Sequence, residues 1–407
     1  MKILYLCQRI PFPPDRGDRI PVYHQIKHLR KTHAVVVGSL AHTGTRKNAE
    51  MLEKELGVKV LAPDHSRLRQ IRGMISAFLR GQPLSPGYFR NPELHGLIEK
   101  ELAEGRFDAI IVFSSSMAQY VDNRGSVPGI MNFCDVDSLK WESLARKSFW
   151  PMRWVYLRES RALLACERKI AALFEASCVV SRNEAGLFRK YIPGIAVDII
   201  ENGVDVDYFS AFPRKIDNIN IVFVGVMDYP PNVEAVTFFA NNIWGKIRGA
   251  HPHARFIIVG ARPAKSVVNL ARIPGIEVTG YVPDVRPYLA AATISIAPLG
   301  VARGIQNKIL EAMAAGVPVL TTPDVAKGLP DGAEQLVFTA ERDADAFAFT
   351  LLDLMTNEAI REKRARQAAE FARRNCVWEM KLRALDALLD RIFAIRRLDR
   401  LETSQLS

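Results

Sequence analysis

A lysine and a glutamate interrupt the mostly small and apolar segment GIQNKILEAMAAGVPVLTT, residues 304–322. Lys308 and Glu311 are three positions apart, a spacing that places both side chains on one face of a helix. Asn307 is a candidate cap for the start of that helix and Gly316 for its end. A buried strand is predicted to follow, so both charged groups belong to a helix that packs beside the protein core.

This pair has two interpretations. In the first, Lys308 and Glu311 form an exposed surface pair worth a few tenths of a kcal/mol. In the second, Arg303, Lys308 and the free N–H groups behind Gly304 bind a diphosphate, and Glu311 binds sugar hydroxyls. Composition and spacing leave both interpretations open.

A second candidate follows a predicted strand at 130–134. Asp135 stands at the end of this strand, where a carboxylate can accept a proton or bind a hydroxyl. Asp137 or Ser138 fits the N-cap of the next helix, and we favour the cap for Asp137.

Three further loops follow predicted strands. Gly17 lies in CQRIPFPPDRGDRI ahead of a helix predicted to start near Asp18, Gly225 lies in FVGVMDYPPN, and Arg262 lies in IVGARP. Ligands of open α/β sheets collect outside the carboxyl ends of strands, so these loops are candidate binding loops. The chain has no G-x-G-x-x-G and no G-x-x-x-x-G-K-[ST], so neither phosphate-binding fingerprint is supported.

Short apolar runs alternate with helical periodicity along the whole chain. This alternation predicts an α/β protein with parallel sheets covered on both faces. The predicted strands of the first half are 3–6, 35–40, 58–61, 109–113, 130–134, 178–181 and 198–200. Those of the second half are 221–225, 256–260, 276–279, 294–297, 319–321 and 336–338.

The two series of strands indicate two doubly wound domains. A length of 407 residues is about twice that of one ordinary domain. Apolar periodicity lapses in FSAFPRKIDNIN, which places the first boundary there. We predict domains at 1–212 and 213–375, with 376–407 forming a helix that crosses back to the first domain and a tail.

The charge favours acidic partners. The net charge is +11, and the segment 66–92 holds five arginines and no acid. Part of this segment has apolar residues at helical spacing, which fits either a surface helix or a helix lying on an anionic membrane. The longest near-apolar run, 290–302, is too short to span a bilayer.

The cysteines and histidines give no sign of a disulfide framework or a metal site. Five scattered cysteines without C-x-x-C are predicted to be reduced, buried thiols, which favours a cytoplasmic protein. His251 and His253 flank a proline and lack a neighbouring cysteine ligand, so a structural loop is the expected role.

The ordered motifs resemble those of the family-4 nucleotide-sugar glycosyltransferases. IIENGVDVDYF, FVG, IVG, VTGYVPDVRPYLAAATISIAP and the segment at 304–322 follow one another in the family's order and spacing, and PPDRG agrees with its N-terminal glycine loop. PFPPDRGDRI, DVDSLKW, ENGVD and FVGVMDYPPN look like the branch associated with exosortase-type exopolysaccharide gene clusters.

The resemblance implies two Rossmann-like domains facing across a cleft, the GT-B architecture, with the donor bound by the C-terminal domain and the acceptor by the N-terminal one. It also implies a retaining, hexosyltransferase-type transfer that needs no cofactor and no metal ion. The acceptor would be a glycan or polyprenyl-linked hydroxyl, at the cytoplasmic face of the inner membrane, and no nucleic acid is expected as a partner.

The resemblance carries roles onto individual residues. Glu311 matches the glutamate that holds the nucleotide ribose, and Tyr281 and Val282 fall where the base lies against the backbone. The candidate catalytic residues are Asp135, Arg303, Lys308 and Glu311. The candidate donor-binding residues are Gly17, Gly225, Arg262, Tyr281, Val282, Gly304, Ile305, Gln306, Asn307, Lys308 and Glu311.

The chain departs from the family pattern in three places. Arg303 stands where the first glutamate of E-x7-E is expected, and Val226 and Asn232 occupy the region of the usual arginine and lysine. Cys134–Asp135 replaces a common histidine. Since the leaving group gains negative charge, we expect Arg303, Lys308 and Arg262 to supply the missing positive charge.

Two other functions remain open from the sequence. A sugar-nucleotide epimerase shares this architecture, but we identify no acid and base set for it. A non-catalytic nucleotide- or RNA-binding protein would suit the charge, but the sequence lacks the aromatic and basic interleaving of stacking surfaces.

Overall fold

The chain divides into two compact units. The structure, a computed structural model, describes residues 1–42, 44–146, 148–300 and 304–405, with side chains as far as residue 394. Unit 1 comprises residues 1–200 and 382–407, and unit 2 comprises residues 201–381.

Unit 1 is built on a parallel sheet with the strand order β4-β2-β1-β6-β7-β8-β9, and β3 pairs with β5 separately. The strands are β1 (Lys2–Leu6), β2 (Ala34–Gly38), β3 (Ala41–His42), β4 (Lys59–Leu61), β5 (Asp64–His65), β6 (Ala109–Phe113), β7 (Gly129–Cys134), β8 (Ala176–Val179) and β9 (Val197–Ile199). The helices are α1 (Ile20–Leu29), α2 (Arg46–Leu56), α3 (Arg67–Leu79), α4 (Leu84–Tyr88), α5 (Pro92–Glu104), α6 (Asp137–Arg146), α7 (Met152–Leu173) and α8 (Arg182–Tyr191), with a 3₁₀ helix at Ser115–Tyr120.

Unit 2 is built on a second parallel sheet, of order β12-β11-β10-β13-β14-β15. Its strands are β10 (Asn220–Val224), β11 (Arg255–Val259), β12 (Ile276–Gly280), β13 (Ile294–Ala297), β14 (Val319–Thr321) and β15 (Phe338–Thr339). The helices are α9 (Val206–Ser210), α10 (Pro230–Phe238), α11 (Trp244–Ala250), α12 (Lys265–Leu270), α13 (Arg286–Ala290), α14 (Asn307–Ala314), α15 (Pro323–Ala326), α16 (Ala344–Thr356) and α17 (Glu358–Asn375). A π-helical turn at Phe239–Ile243 joins α10 to α11, a 3₁₀ turn forms at Glu334–Leu336, and α18 (Trp378–Gln405) ends the described chain.

The central strands of both sheets are buried along their whole length, as parallel sheets require. Every residue of β6, β10 and β13 is buried, because helices cover both faces of the central strands. The prediction of two doubly wound parallel sheets is therefore confirmed. The strand predicted at 336–338 is misplaced, since residues 334–336 form the 3₁₀ turn and β15 begins at Phe338.

The structure places both predicted domain boundaries inside unit 2. Residues 201–212 belong to this unit because Val204 bridges to Val377 and the side chain of Asn202 bonds to that of Asn307. A hydrophobic run alone cannot reveal such contacts between distant segments.

The five cysteines are all free thiols, as predicted. Burial raises the pKa of Cys7 to about 12 and the pKa values of Cys166 and Cys376 to about 11. Burial likewise raises the thiol pKa of Cys134 and of Cys178 well above the usual value. Among the described residues, no helix is long and apolar enough to cross a membrane.

Candidate active site

The strand order of each sheet marks the place where a ligand is expected. In unit 2 the chain runs outward from β10 through β11 to β12, and then returns to the other side of β10 as β13. The loops that follow β10 and β13 therefore diverge and leave a crevice at the carboxyl ends of these strands. We call this region, built from residues 225–232 and 304–311, the β10/β13 crevice.

Close backbone approach shapes one wall of this crevice. The amide of Gly225 donates to the carbonyl of Val259 (3.0 Å), which continues the pairing of β10 with β11. A methyl group on Gly260 would overlap the carbonyl oxygen of Gly225. Glycine at position 260 is thus required for the two loops to lie against each other.

Lys308 points from α14 into the crevice. Its Nζ donates to Asn232 Oδ1 (2.5 Å) and lies 4.3 Å from the centre of the Phe223 ring. Asn232 is buried, and its Nδ2 donates to the carbonyl of Val226 (2.9 Å). A methyl group on Gly225 would lie 3.2 Å from Lys308 Nζ, so the glycine leaves room for the ammonium.

Glu311 follows Lys308 on the same helix and is half-buried. Within the described part of the chain, the Glu311 carboxylate accepts no hydrogen bond. Burial raises its pKa, and the neighbouring Lys308 partly opposes this shift. Burial likewise lowers the pKa of Lys308, and Glu311 partly opposes that change. The interpretation of an exposed surface pair does not fit these surroundings.

The start of α14 differs from the prediction. The N-cap is Gln306, and Asn307 is the first helical residue because its Oδ1 accepts from Asn202 Nδ2 (2.9 Å). Gly304 has a φ of +64°, and Ile305 is buried behind it. Arg303 lies outside the described residues.

The other donor candidates of unit 2 lie at strand ends but make different contacts. Arg262 follows β11 with a φ of +52°, and its Nε lies 2.8 Å from Asp228 Oδ2. Tyr281 follows β12 and is largely exposed, and Val282 is half-buried. The structure thus brings Gly225 and Lys308 together, whereas Arg262 is engaged by a carboxylate.

In unit 1, Asp135 also lies at a strand end. Cys134 has a φ of +63°, which turns the chain sharply after β7. Asp135 Oδ2 lies 2.7 Å from Lys140 Nζ, whereas its buried Oδ1 has no hydrogen-bond partner among the described residues. Burial alone would lower the pKa of Lys140. The negative charges of Asp135 and Asp137 have the opposite and larger effect, so the pKa of Lys140 lies well above its usual value.

Asp137 is the first residue of α6 rather than its cap. Its Oδ1 lies 2.8 Å from Lys140 Nζ, within the first turn of the same helix. The role that we predicted for Asp137 is therefore wrong.

The loop that contains Gly17 leads into α1, which begins at Ile20, two residues after Asp18. Gly17 is exposed, and a methyl group placed on it would meet nothing within 4 Å. Asp18 is held by Arg9, 2.8 Å away. Burial raises the pKa of Asp18, but Arg9 and its neighbouring arginines outweigh burial and lower it.

Sequence reasoning missed a polar cluster at the corresponding point of unit 1, where β1 lies between β2 and β6. Gln8 Nε2 donates to Ser114 Oγ (2.8 Å) and to Ser116 Oγ (2.7 Å). His42 lies nearby, and burial together with Arg9 lowers its pKa to about 4. The triplet SSS after a buried strand was the signal available in the sequence.

Backbone strain marks the same edges of both sheets. Within the described ranges, three non-glycine residues have positive φ: Ser114, Cys134 and Arg262. Cys134 is the last residue of β7, Ser114 directly follows β6, and Arg262 lies three residues after the end of β11. Such conformations cost about 1–3 kcal/mol and cluster at ligand sites. In the same described ranges, no group of three or more histidine, cysteine, aspartate or glutamate residues could hold a metal ion.

Comparison with known proteins finds a family match for part of unit 2. Residues 218–357 match the family described as Glycosyl transferases group 1. The matched segment contains the whole β10/β13 crevice. No curated protein matches the sequence.

Several solved structures share the fold over nearly the whole chain. Sucrose-phosphate synthase from Thermosynechococcus elongatus matches with a TM-score of 0.74 and 14% identity, covering 97% of this chain and 100% of the synthase. HepE from Anabaena, in complex with UDP and glucose, matches with a TM-score of 0.67 and 14% identity, covering 96% of this chain and 99% of HepE. WaaG, a glycosyltransferase involved in lipopolysaccharide biosynthesis, matches with a TM-score of 0.66 and 17% identity, covering 95% of this chain and 99% of WaaG. These likenesses establish that the chain has the fold of GT-B glycosyltransferases.

Proposed function

We propose that this protein is a glycosyltransferase that uses a nucleoside diphosphate sugar as its donor. The donor binds in the β10/β13 crevice, and the sugar passes to a hydroxyl of a glycan or lipid-linked acceptor. The match of residues 218–357 to a glycosyltransferase family supports the proposal, because that segment contains the crevice.

The observation that carries the proposal is the placement of Lys308 and Glu311 on successive turns of α14. A half-buried ammonium and a half-buried carboxylate lie one helical turn apart where the loops after β10 and β13 diverge. The ammonium suits a diphosphate, and the carboxylate, which accepts no hydrogen bond from the described residues, suits the hydroxyls of a ribose. We assign the base to the backbone at Tyr281 and Val282.

The reaction transfers the sugar by exchanging one bond at its anomeric carbon for another. The acceptor oxygen bonds to the anomeric carbon, the bond from that carbon to the diphosphate breaks, and its electron pair leaves with the diphosphate. Lys308 and the first N–H groups of α14 stabilise the charge that develops there. Arg303 and Arg262 are auxiliary cations in this proposal, and Arg262 must share or release Asp228 to contact a phosphate.

We assign the acceptor to unit 1. Asp135 accepts the proton that the acceptor hydroxyl loses as its oxygen bonds to the anomeric carbon. Transfer proceeds with retention of the anomeric configuration and without a metal ion, in bacterial exopolysaccharide biosynthesis. The protein acts at the cytoplasmic surface of an anionic membrane.

Donor consumption by the purified chain tests the proposal. The full chain is incubated with UDP-, GDP- and ADP-linked hexoses, each with and without glycan and polyprenyl-linked acceptors. We expect one donor to release its nucleoside diphosphate, faster with acceptor present, and proton NMR of the product to show the donor's anomeric configuration. Glu311→Ala should weaken binding of that donor, whereas Glu341→Ala, elsewhere in unit 2, should not.

Each alternative function predicts a different result. An epimerase would change the sugar's configuration without consuming an acceptor. A binding protein would hold the nucleotide and release no product from any donor. Either result would overturn the proposal.

A further inference from the structure

One face of unit 1 exposes many large apolar side chains. Phe149 is 90% exposed, Trp150 is 84% exposed and Leu79 is 78% exposed. Ile75 on α3 and Trp154 on α7 are each more than half exposed. We call the exposed side chains of α3 and of residues 149–154 the apolar–basic surface.

The two segments of this surface are in contact. The rings of Phe78 and Trp154 meet edge to face, with 6.2 Å between their centroids. The guanidinium of Arg158 lies 4.8 Å from the centre of the Phe78 ring and donates to the carbonyl of Phe78 (3.3 Å). Residues far apart in sequence therefore form one continuous surface.

Unpaired positive charge lies on both segments. The sequence has no acidic residue at 66–92 and none at 143–158. The exposed side chains of Arg67, Arg72 and Arg80 pair with no carboxylate of the described chain, and neither does Arg153. A surface with this charge repels a second copy of itself and attracts an anionic partner.

We infer that the apolar–basic surface docks on an anionic lipid bilayer. Tryptophan is favoured at the depth of the lipid headgroups. Phenylalanine and leucine supply the apolar face of helices that lie in this interface. Arginines beside them meet lipid phosphates, and each contributes about fivefold to binding near an anionic surface. The inference rests on the proposed function in one respect: the proposed function explains why the protein would bind a membrane, namely to reach a lipid-linked acceptor. Binding to vesicles itself requires no turnover.

Co-sedimentation of the full chain with vesicles tests the inference. Vesicles of phosphatidylcholine are compared with vesicles that also contain phosphatidylglycerol. We expect the protein to bind the anionic vesicles, and the double variant Phe149→Ser/Trp150→Ser to bind them at least tenfold more weakly. Arg72→Gln/Arg80→Gln should weaken binding by about 25-fold, the product of two fivefold steps.

Matched controls separate the surface from bulk properties. Phe349→Ser removes an aromatic residue of unit 2 that is 76% exposed. Arg106→Gln/Arg272→Gln removes the same charge from two exposed arginines outside the surface. Both controls should bind vesicles like the unmodified chain, and thermal unfolding should show that every variant is folded.

Several results would overturn the inference. One such result is that the unmodified chain fails to bind anionic vesicles. Another is that the control variants lose binding as strongly as the surface variants do. A dimer in light scattering that only the surface variants dissociate, without vesicle binding, would assign the surface to a second copy. Vesicle binding by a chain that consumes no donor would refute the proposed function and support this inference, so the two failures are distinguishable.

Discussion

Lys308 is the residue whose surroundings say most about the crevice. Its ammonium lies beside the buried amide of Asn232, above the ring of Phe223 and next to a glycine that leaves space. Burial lowers the pKa of Lys308 because the charged form loses hydration. A bound diphosphate would restore that lost stabilisation, so the side chain is placed to gain from an anionic ligand.

Substitution of Lys308 is the most direct test of its proposed role. Lys308→Ala should lower kcat by about 10²-fold or more, the scale of losing one donor that stabilises developing charge. Lys327→Ala removes an exposed lysine of the same unit and should leave kcat unchanged. Steady-state kinetics with the identified donor provides the measurement, and turnover by Lys308→Ala close to that of the unmodified chain would refute the role.

At the scale of elements, the crevice depends on how closely two strand ends approach. β10 and β11 run in parallel register, and the loops beyond them touch at Gly225 and Gly260. Any side chain at position 260 would separate the loops. Asn232 would then lose its bond to Val226 or to Lys308.

Gly260→Ala should therefore affect both stability and binding. We expect a loss of unfolding free energy of about 1–3 kcal/mol from overpacking, and weaker binding of the donor's nucleoside diphosphate. Gly245→Ala is the matched control, since a methyl group on this helical glycine meets nothing within 4 Å, and it should stabilise by about 0.5–1 kcal/mol. Chemical denaturation and calorimetry measure the two effects. Equal behaviour of the two variants would show that the close approach is unimportant.

A buried carboxyl on α7 links the packing of two helices to pH. Glu167 is fully buried and accepts from the amide and the hydroxyl of Ser138 (3.2 and 2.6 Å) at the start of α6. Burial, followed by the charge of Asp137, raises the pKa of Glu167 to about 8. The folded state therefore keeps a proton on this carboxyl that the unfolded chain loses near its ordinary pKa of 4.5.

Since the folded pKa is the higher one, this group's stabilising contribution is present below pH 4.5 and is lost as pH rises to about 8. The loss is roughly 1.4 kcal/mol per unit of pKa shift. Glu167→Gln should abolish this contribution, so its melting temperature should fall less between pH 5 and pH 9 than that of the unmodified chain. Thermal unfolding across this range checks the prediction, with the exposed Glu104→Gln as the control. A parallel fall in all three proteins would contradict it.

At the scale of the whole molecule, the fold was largely predictable and the site was not. The central strands are buried on both faces, so they appear in the sequence as continuous apolar runs. The two-residue strands β3 and β5 lack such runs and were missed. Asn232 was noted only as a departure from a family pattern, because its bond to Lys308 joins residues 76 positions apart. Asn307 was assigned to capping because nothing local reveals its competing partner, Asn202.

The division into two units predicts where a nucleotide changes hydrogen exchange. Each unit has its own sheet and buried core, so each is expected to open separately. The nucleoside diphosphate at about 100 times its Kd should slow exchange of amides in β10 and β11 by the equivalent of about 2.7 kcal/mol. Amides of β1 and β6 should exchange at unchanged rates. Mass spectrometry gives both sets from one sample, and equal slowing in the two sheets would contradict the prediction.

The five free thiols, three of them buried and two partly buried, make the native chain a convenient background for site-specific labelling. Maleimide reagents couple to thiolates, and the raised pKa of all five cysteines keeps them protonated near neutral pH. A single cysteine introduced at an exposed position, as in Phe149→Cys, should therefore take up a fluorophore selectively while every native cysteine stays in place. The colour of an environment-sensitive dye at that position would then report directly whether the residue sits in water or in lipid.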